Sequence, residues 1–303
     1  GTDYEITYPA GMTNAGTYTV NVDLKGNYSG SGAAAYTIAK ASQKVTAVLS
    51  AETIAVGKTA TVIVTGSQGK VTYKSDDTSV AEVSEDGTIS ANKVGTAVIS
   101  VISAATTNYK KKTVKLTVSV VPGATTKIAV ANKSNGIKVA WKAVAGATGY
   151  YIYRNNKLAK TITSGTTTSW GDTKATTNCA KYTYKVVAYA DTGKSTVSKS
   201  LTTYWLTRPA ISSLTNSAAG KLTVKWDKNS KATGYQVQVS TSSKFTSGTT
   251  KTATIRNIAT VSKVVGSLKK GTTYYVRVRS FLTKDGKNYY SMWSAVKNLK
   301  LTK

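Results

Sequence analysis

The chain has 303 residues and a formal net charge of +28, from 41 basic and 13 acidic side chains, with no histidine and one cysteine. The missing histidine excludes Ser-His-Asp and Cys-His catalysis and His-based zinc sites, and a lone cysteine makes no internal disulfide. The length favours two or three domains, and no apolar run approaches the ~20 residues that cross a bilayer.

Thr, Ser, Val and Tyr dominate, and no segment sustains a 3.6-residue apolar period. Short alternating runs closed by Gly, Asn or Asp recur instead, at Ala60–Thr65, Val98–Ile102, Thr113–Val121, Tyr182–Tyr189, Tyr235–Ser240 and Tyr274–Phe281. The predicted fold is all-β. Two stretches repeat with an offset of 85 residues: Trp141 with Ala147-Thr148-Gly149-Tyr150, and Trp226 with Ala232-Thr233-Gly234-Tyr235. That period is too long for a solenoid turn and suits a whole β-sandwich. Proline occurs at Pro9, Pro122 and Pro209, the last two where one strand pattern stops and another starts. With a further break near Lys40–Gln43, the expected segments are 1–41, 42–121, 122–207 and 208–303.

Segment 1–41 carries Gly1-Thr2-Asp3-Tyr4, Ala15-Gly16-Thr17-Tyr18-Thr19-Val20, Gly26-Asn27-Tyr28-Ser29-Gly30 and Tyr36-Thr37-Ile38. It resembles the end of the bacterial immunoglobulin-like repeats of Gram-positive surface proteins, and covers half of such a domain. Forty residues bury no core of their own, so these strands are expected to lean on the next module or to be completed by further chain. On this reading the chain opens mid-domain, as a piece of something longer.

Segment 42–121 carries Tyr73-Lys74-Ser75-Asp76-Asp77-Thr78-Ser79-Val80-Ala81-Glu82-Val83, then Asp86-Gly87-Thr88-Ile89 and Val94-Gly95-Thr96-Ala97. It resembles bacterial group 2 immunoglobulin-like domains, with Tyr73 near the family's usual tryptophan. Val80, Val83 and Ile89 read as inward positions, and Glu85-Asp86-Gly87 as a turn.

Segments 122–207 and 208–303 resemble fibronectin type III domains. Trp141 and Trp226 match the family's core tryptophan, and Tyr182-Thr183-Tyr184-Lys185-Val186 and Tyr274-Tyr275-Val276-Arg277-Val278 match its long penultimate strand. Leu268 to Tyr274 has the tyrosine-corner spacing. In the third segment Cys179 replaces Gly271, which leaves that turn's geometry open; the cysteine itself reads as a small buried-edge residue. The resemblances together imply tandem immunoglobulin-like β-sandwiches in an elongated array. Such arrays serve as spacers, adhesins and enzyme appendages, so architecture identifies function poorly.

Charge is uneven. Segment 1–41 has two basic and three acidic residues, 42–121 nine and six, 122–207 twelve and two, and 208–303 eighteen and two. Lysines on outward strand positions protect exposed edges from pairing, but glutamate would serve equally, and acids almost vanish after residue 121. A basic surface that docks on a polyanion is the competing reading. Candidate contacts are Lys269, Lys270, Arg277, Arg279 and Lys297. Nucleic acid is disfavoured, since no recognition helix, zinc finger or aromatic RNA-binding motif is present.

Arg277 and Arg279 lie two apart on one outward strand face, which places Trp293 between their guanidinium groups as a cation–π stack. A structural Arg–Trp ladder, as in some receptor fibronectin modules, is the favoured role. A sugar-stacking platform at Trp293, Trp205 or Tyr290 is the alternative. Asp76, Asp77, Glu82, Glu85 and Asp86 cluster in sequence without EF-hand spacing, so a Ca²⁺ site is the minor reading and turns the major one. Asp172, Asp191, Asp227 and Asp285 are split between two modules, which gives no carboxylate pair for glycoside hydrolysis.

The expected protein is therefore a monomeric, non-catalytic, multi-domain cell-surface spacer or adhesion fragment without cofactor, metal or membrane insertion. It would be secreted or held at a Gram-positive envelope, its basic C-terminal pair retaining it at an anionic cell-wall polymer or glycan. The alternatives are accessory glycan-binding modules of a carbohydrate-active or wall-remodelling enzyme, and an adhesin for a host protein.

Overall fold

A computed structural model describes residues 3–303; Gly1 and Thr2 of the first motif lie outside the described residues. The fold is all-β, and every alternating run named above lies inside a strand. No helix of the described residues is long and apolar enough to cross a membrane. The chain forms two compact units. One comprises Gly1–Gly123 with Ala145–Ala147 and Tyr189–Ser195; the other comprises Ala124–Val144, Thr148–Ala188 and Thr196–Lys303.

The first unit begins with an antiparallel sheet of Tyr4–Thr7, Gly16–Leu24 and Ser31–Ile38. Its register puts Tyr4, Ile6, Val20, Val22, Leu24, Ala34 and Tyr36 on one face, because side chains alternate along each strand. None of its described residues is buried. The sheet is tied to the next sandwich through Asn108, whose Oδ1 accepts from Ala15 N–H (2.7 Å) and whose Nδ2 donates to Asn14 Oδ1 (2.9 Å).

That next sandwich packs the sheet Thr53–Ala55, Lys112–Val121, Gly95–Ser103 and Val71–Ser75 against the sheet Thr46–Leu49, Thr59–Thr65, Thr88–Ala91 and Ala81–Val83. The alternating strands close a core that includes Ile54, Val62, Ile89, Ile99, Val101, Val118 and Val120. Val80 and Ile89 are buried and Val83 packs against them. Gln43 is 4 % exposed, and its amide is fully used: Nε2 donates to the Ala104 and Lys110 carbonyls, and Oε1 accepts from Gln68 N–H and Ser103 Oγ. Each of these bonds avoids the ~1–3 kcal/mol cost of a buried unpaired polar group.

The second unit contains one strand order twice. Ala129–Lys133, Gly136–Ala140 and Ser169–Asp172 face Lys157–Ile162, Gly149–Arg154, Lys181–Ala190 and Leu201–Tyr204. Ile211–Ala218, Lys221–Trp226 and Ser262–Val265 face Thr250–Ile255, Gly234–Ser240, Thr273–Lys284 and Lys297–Lys300. Lys287–Tyr290 also pairs with Thr273–Lys284, and these two sandwiches, the third and fourth after the segments 122–207 and 208–303 that form them, are fibronectin type III-like. In each, the core tryptophan packs on the tyrosine of the repeat, Trp141 on Tyr150 (5.1 Å between ring centroids) and Trp226 on Tyr235 (5.4 Å). The corner phenols accept from backbone amides, Tyr274 from Lys269 N–H (2.9 Å) and Tyr182 from Thr177 N–H (3.2 Å).

The Cys179 turn keeps the geometry of its glycine counterpart. Gly271 has φ +79° and donates its N–H to the Leu301 carbonyl; Cys179 has φ +58° and donates to the Trp205 carbonyl. A left-handed conformation costs a Cβ-bearing residue about 1–2 kcal/mol, which the surrounding bonds offset.

Polar side chains join the two sandwiches of this unit. Asn178 Nδ2 donates to Asn229 Oδ1 (2.8 Å), and Asn178 Oδ1 accepts from Thr207 N–H (3.0 Å). The Thr207 carbonyl accepts from Asn229 Nδ2 (3.2 Å) and Ser280 Oγ (3.0 Å). Asn132 Nδ2 donates to the carbonyls of Tyr204 (2.9 Å) and Tyr290 (2.8 Å), and Tyr204 meets Tyr289 edge-on at 4.8 Å.

Candidate functional site: the basic C-terminal sandwich

On the strand Thr273–Lys284, Tyr274, Val276 and Val278 point into the core, which leaves Arg277 and Arg279 on the outer face. Register sets Gln238 beside Arg277 and Gln236 beside Arg279. Each glutamine accepts from its arginine Nε, at 2.8 and 3.0 Å, and donates to a threonine on the following strand, Thr252 or Thr254. Two Thr–Gln–Arg rungs therefore cross three strands.

The segment 291–294 sets the aromatic partner. Ser291 N–H donates to the Ser280 carbonyl and its Oγ accepts from Ser280 N–H; Ser294 does the same with Val278. These paired bonds replace a regular ladder and turn Trp293 outward. The result is a five-membered stack. Arg277 lies between Phe245 (4.0 Å) and Trp293 (4.5 Å), and Arg279 between Trp293 (4.4 Å) and Tyr290 (3.8 Å). Burial lowers the pKa of both arginines, as desolvation disfavours the charged form.

This geometry separates the candidate residues. Arg277, Arg279, Trp293 and Tyr290 are together in the stack. Trp293 therefore meets two guanidinium groups and Tyr290 one, the contacts of an Arg–Trp ladder. Trp205 lies elsewhere, at 8 % exposure, with its indole N–H donating to the Lys133 carbonyl. Lys269 and Lys270 are exposed in the turn before Thr273, and Lys297 is exposed opposite Val276.

Two carboxylates of the first unit cap turns, and a third bonds across to a neighbouring strand. Asp76 accepts from Val98 N–H, Asp77 from Ser79 and Val80, and Asp86 from Ser84 and Thr88. Hydrogen bonds hold Asp77 and Asp86 below the usual carboxylate pKa, the Ser79 and Ser84 hydroxyls contributing most. Among the described residues no group of three or more His, Cys, Asp or Glu could hold a metal ion.

One acid is inside. Asp172 is 1 % exposed, receives Arg154 Nη1 on both oxygens (2.8 and 2.9 Å) and accepts from Tyr184 Oη (2.7 Å). Burial, then the hydrogen bond to Asp172, pushes the Tyr184 phenol up, so it stays protonated. This Arg–Asp–Tyr cluster spans the two sheets of the third sandwich. Sequence reasoning treated Asp172 only as an isolated acid, and no local spacing links it to Arg154 or Tyr184.

Comparisons with known proteins agree with the sandwich of segment 42–121. Residues 40–114 match the family model for the bacterial Ig-like domain (group 2). Among solved structures, the FN1–FN3 domains of chicken CNTN1 align with 85 % of this chain and 98 % of theirs, at 14 % identity and a TM-score of 0.35. A comparison with curated proteins finds no match. Residues 40–114 thus resemble a group 2 bacterial Ig-like domain, and the two sandwiches of the second unit are fibronectin type III-like by their own strand order.

Proposed function

We propose that the chain is a non-catalytic spacer and adhesion segment of a secreted or surface-held bacterial protein, retained at the anionic cell wall by its basic C-terminal sandwiches. The observation that carries this reading is the charge of segment 208–303, eighteen basic residues against two acidic, with almost all the lysines exposed. Such a field concentrates polyanions at the surface and weakens with salt. The structural hydrogen bonds of Asp76, Asp77 and Asp86 and the enclosed position of Asp172 support a non-catalytic role.

Purified Gram-positive walls, with and without their anionic polymer, should be titrated with the full chain across a salt series. Binding that requires the polymer and collapses with salt is expected. Absence of binding at low salt, or equal binding to stripped walls, overturns the reading. An adhesin for a host protein is favoured by a different observation, the apolar face of the first sheet, where Tyr4 and Leu24 are 53 % and 43 % exposed. Loss of host-cell adherence on Tyr4→Ser with Ile6→Ser, with wall binding intact, would support that second reading.

A further inference from the structure

The fourth sandwich is polarised along its length. Asp227 and Asp285, its two carboxylates, lie at the end that meets the third sandwich. Asp227 N–H donates to the Ala210 carbonyl (2.9 Å), and Asp285 sits at the tip of the hairpin that carries Tyr289. At the other end the turn 218–221, the loop 241–249, the turn 266–272 and residues 301–303 converge. Leu268 N–H donates to Gly220, Gly220 N–H to Lys303, and Gly271 N–H to Leu301, while Lys251 Nζ reaches the Ser267 carbonyl.

These segments and the adjoining strand hold Lys221, Lys244, Lys251, Lys269, Lys270 and Lys303, all exposed, and no acidic side chain. Among the described residues the ion pairs are Lys25–Glu5 and Arg154–Asp172, both far along the chain from this end. Like charges gathered without a counter-charge repel one another and attract an external anion.

We propose that this lysine-rich end is the docking site for a flexible polyol-phosphate polymer. The inference rests on the wall-retention reading and gives it a place. Lysine suits singly charged phosphates as a compact charge with three donors, whereas the arginine forks that match carboxylates bidentately are stacked under aromatic rings. Single-stranded nucleic acid would want free aromatic faces for its bases, and Phe245, on the loop at this end, already stacks on Arg277.

The test uses the full chain and poly(glycerol phosphate). One variant carries Lys221→Gln, Lys244→Gln, Lys269→Gln and Lys270→Gln; a charge-matched control carries Lys225→Gln, Lys228→Gln, Lys231→Gln and Lys284→Gln. Near-UV circular dichroism confirms folding of both. Each lost phosphate contact lowers the slope of log affinity against log salt by roughly 0.7–0.9. The first variant should therefore lose about three units of slope, and the control less than one. Equal losses in the two variants would overturn the site while leaving wall retention standing. No binding by the unaltered chain at low salt would overturn both. Tighter binding of oligothymidylate than of poly(glycerol phosphate) at equal charge would overturn the polymer class.

Discussion

The third and fourth sandwiches share strand order, core tryptophan and corner tyrosine, yet fill three matching interior positions with opposite chemistry. The third has Arg154, Asp172 and Tyr184 where the fourth has Val239, Val265 and Val276. The equivalence follows from register, since Asp172 lies opposite Ile137 and Val265 opposite Leu222, at the 85-residue repeat. On the outer face the contrast reverses. The fourth sandwich stacks Arg277, Trp293 and Arg279, while the third has Lys185, hydrogen-bonded to Asn156, and a Val197 that is 55 % exposed. One frame thus accepts polar bracing inside or outside, because the strand ladder and the Trp–Tyr pair carry the fold in both.

The largest test of this contrast is Asp172→Ala, which leaves Arg154 partly buried without its counter-ion and Tyr184 without its acceptor. Breaking a buried pair on one side costs about 3–5 kcal/mol, so denaturant unfolding of the full chain should lose that much in the transition of the second unit. A loss below about 1 kcal/mol would mean the cluster is poorly formed in solution. Replacing the whole cluster gives the complementary result. Arg154→Met, Asp172→Val and Tyr184→Phe together should leave stability unchanged or raise it by roughly 1–4 kcal/mol, as apolar replacements of buried ion triads do. A marked loss would show that the third sandwich depends on its polar interior.

Smaller effects are expected outside. Trp293→Ala removes two cation–π contacts of about 0.5–1 kcal/mol each, and should lower the unfolding midpoint. Val197→Ala should stay within about 0.5 kcal/mol, as exposed substitutions do. The smallest change concerns the matched turns. Cys179→Gly should stabilise the third sandwich by about 1 kcal/mol, and Gly271→Ala should destabilise the fourth by a similar amount. A loss of stability in Cys179→Gly, or no loss in Gly271→Ala, would show that the turns differ more than their φ angles indicate.

The sandwiches and the Arg–Trp contact were legible because each rests on short-range alternation: period-two runs, the Trp–Tyr repeat, and two arginines two apart on one strand. Phe245 was not legible as a fifth stack member. It reaches Arg277 from a loop where its own φ is +53°, a turn that no residue pattern announces. The Asp172 cluster was hidden for another reason: its members come from both sheets and stand 12 to 30 positions apart in the chain. The split of the basic residues into stacked arginines and free lysines depends on the same long-range packing, so the sequence pooled them as one surface.

Thr207 serves both C-terminal sandwiches at once, receiving Asn229 and Ser280 on its carbonyl and giving its amide to Asn178. Asn229 and Ser280 are 6 % and 0 % exposed, so a piece that began at Arg208 would open two interior polar groups to water. A piece that stopped before Thr207 would strand Asn178. The seam is therefore a poor place to cut, and recombination that shuffles these repeats between proteins would preserve them best by moving both together.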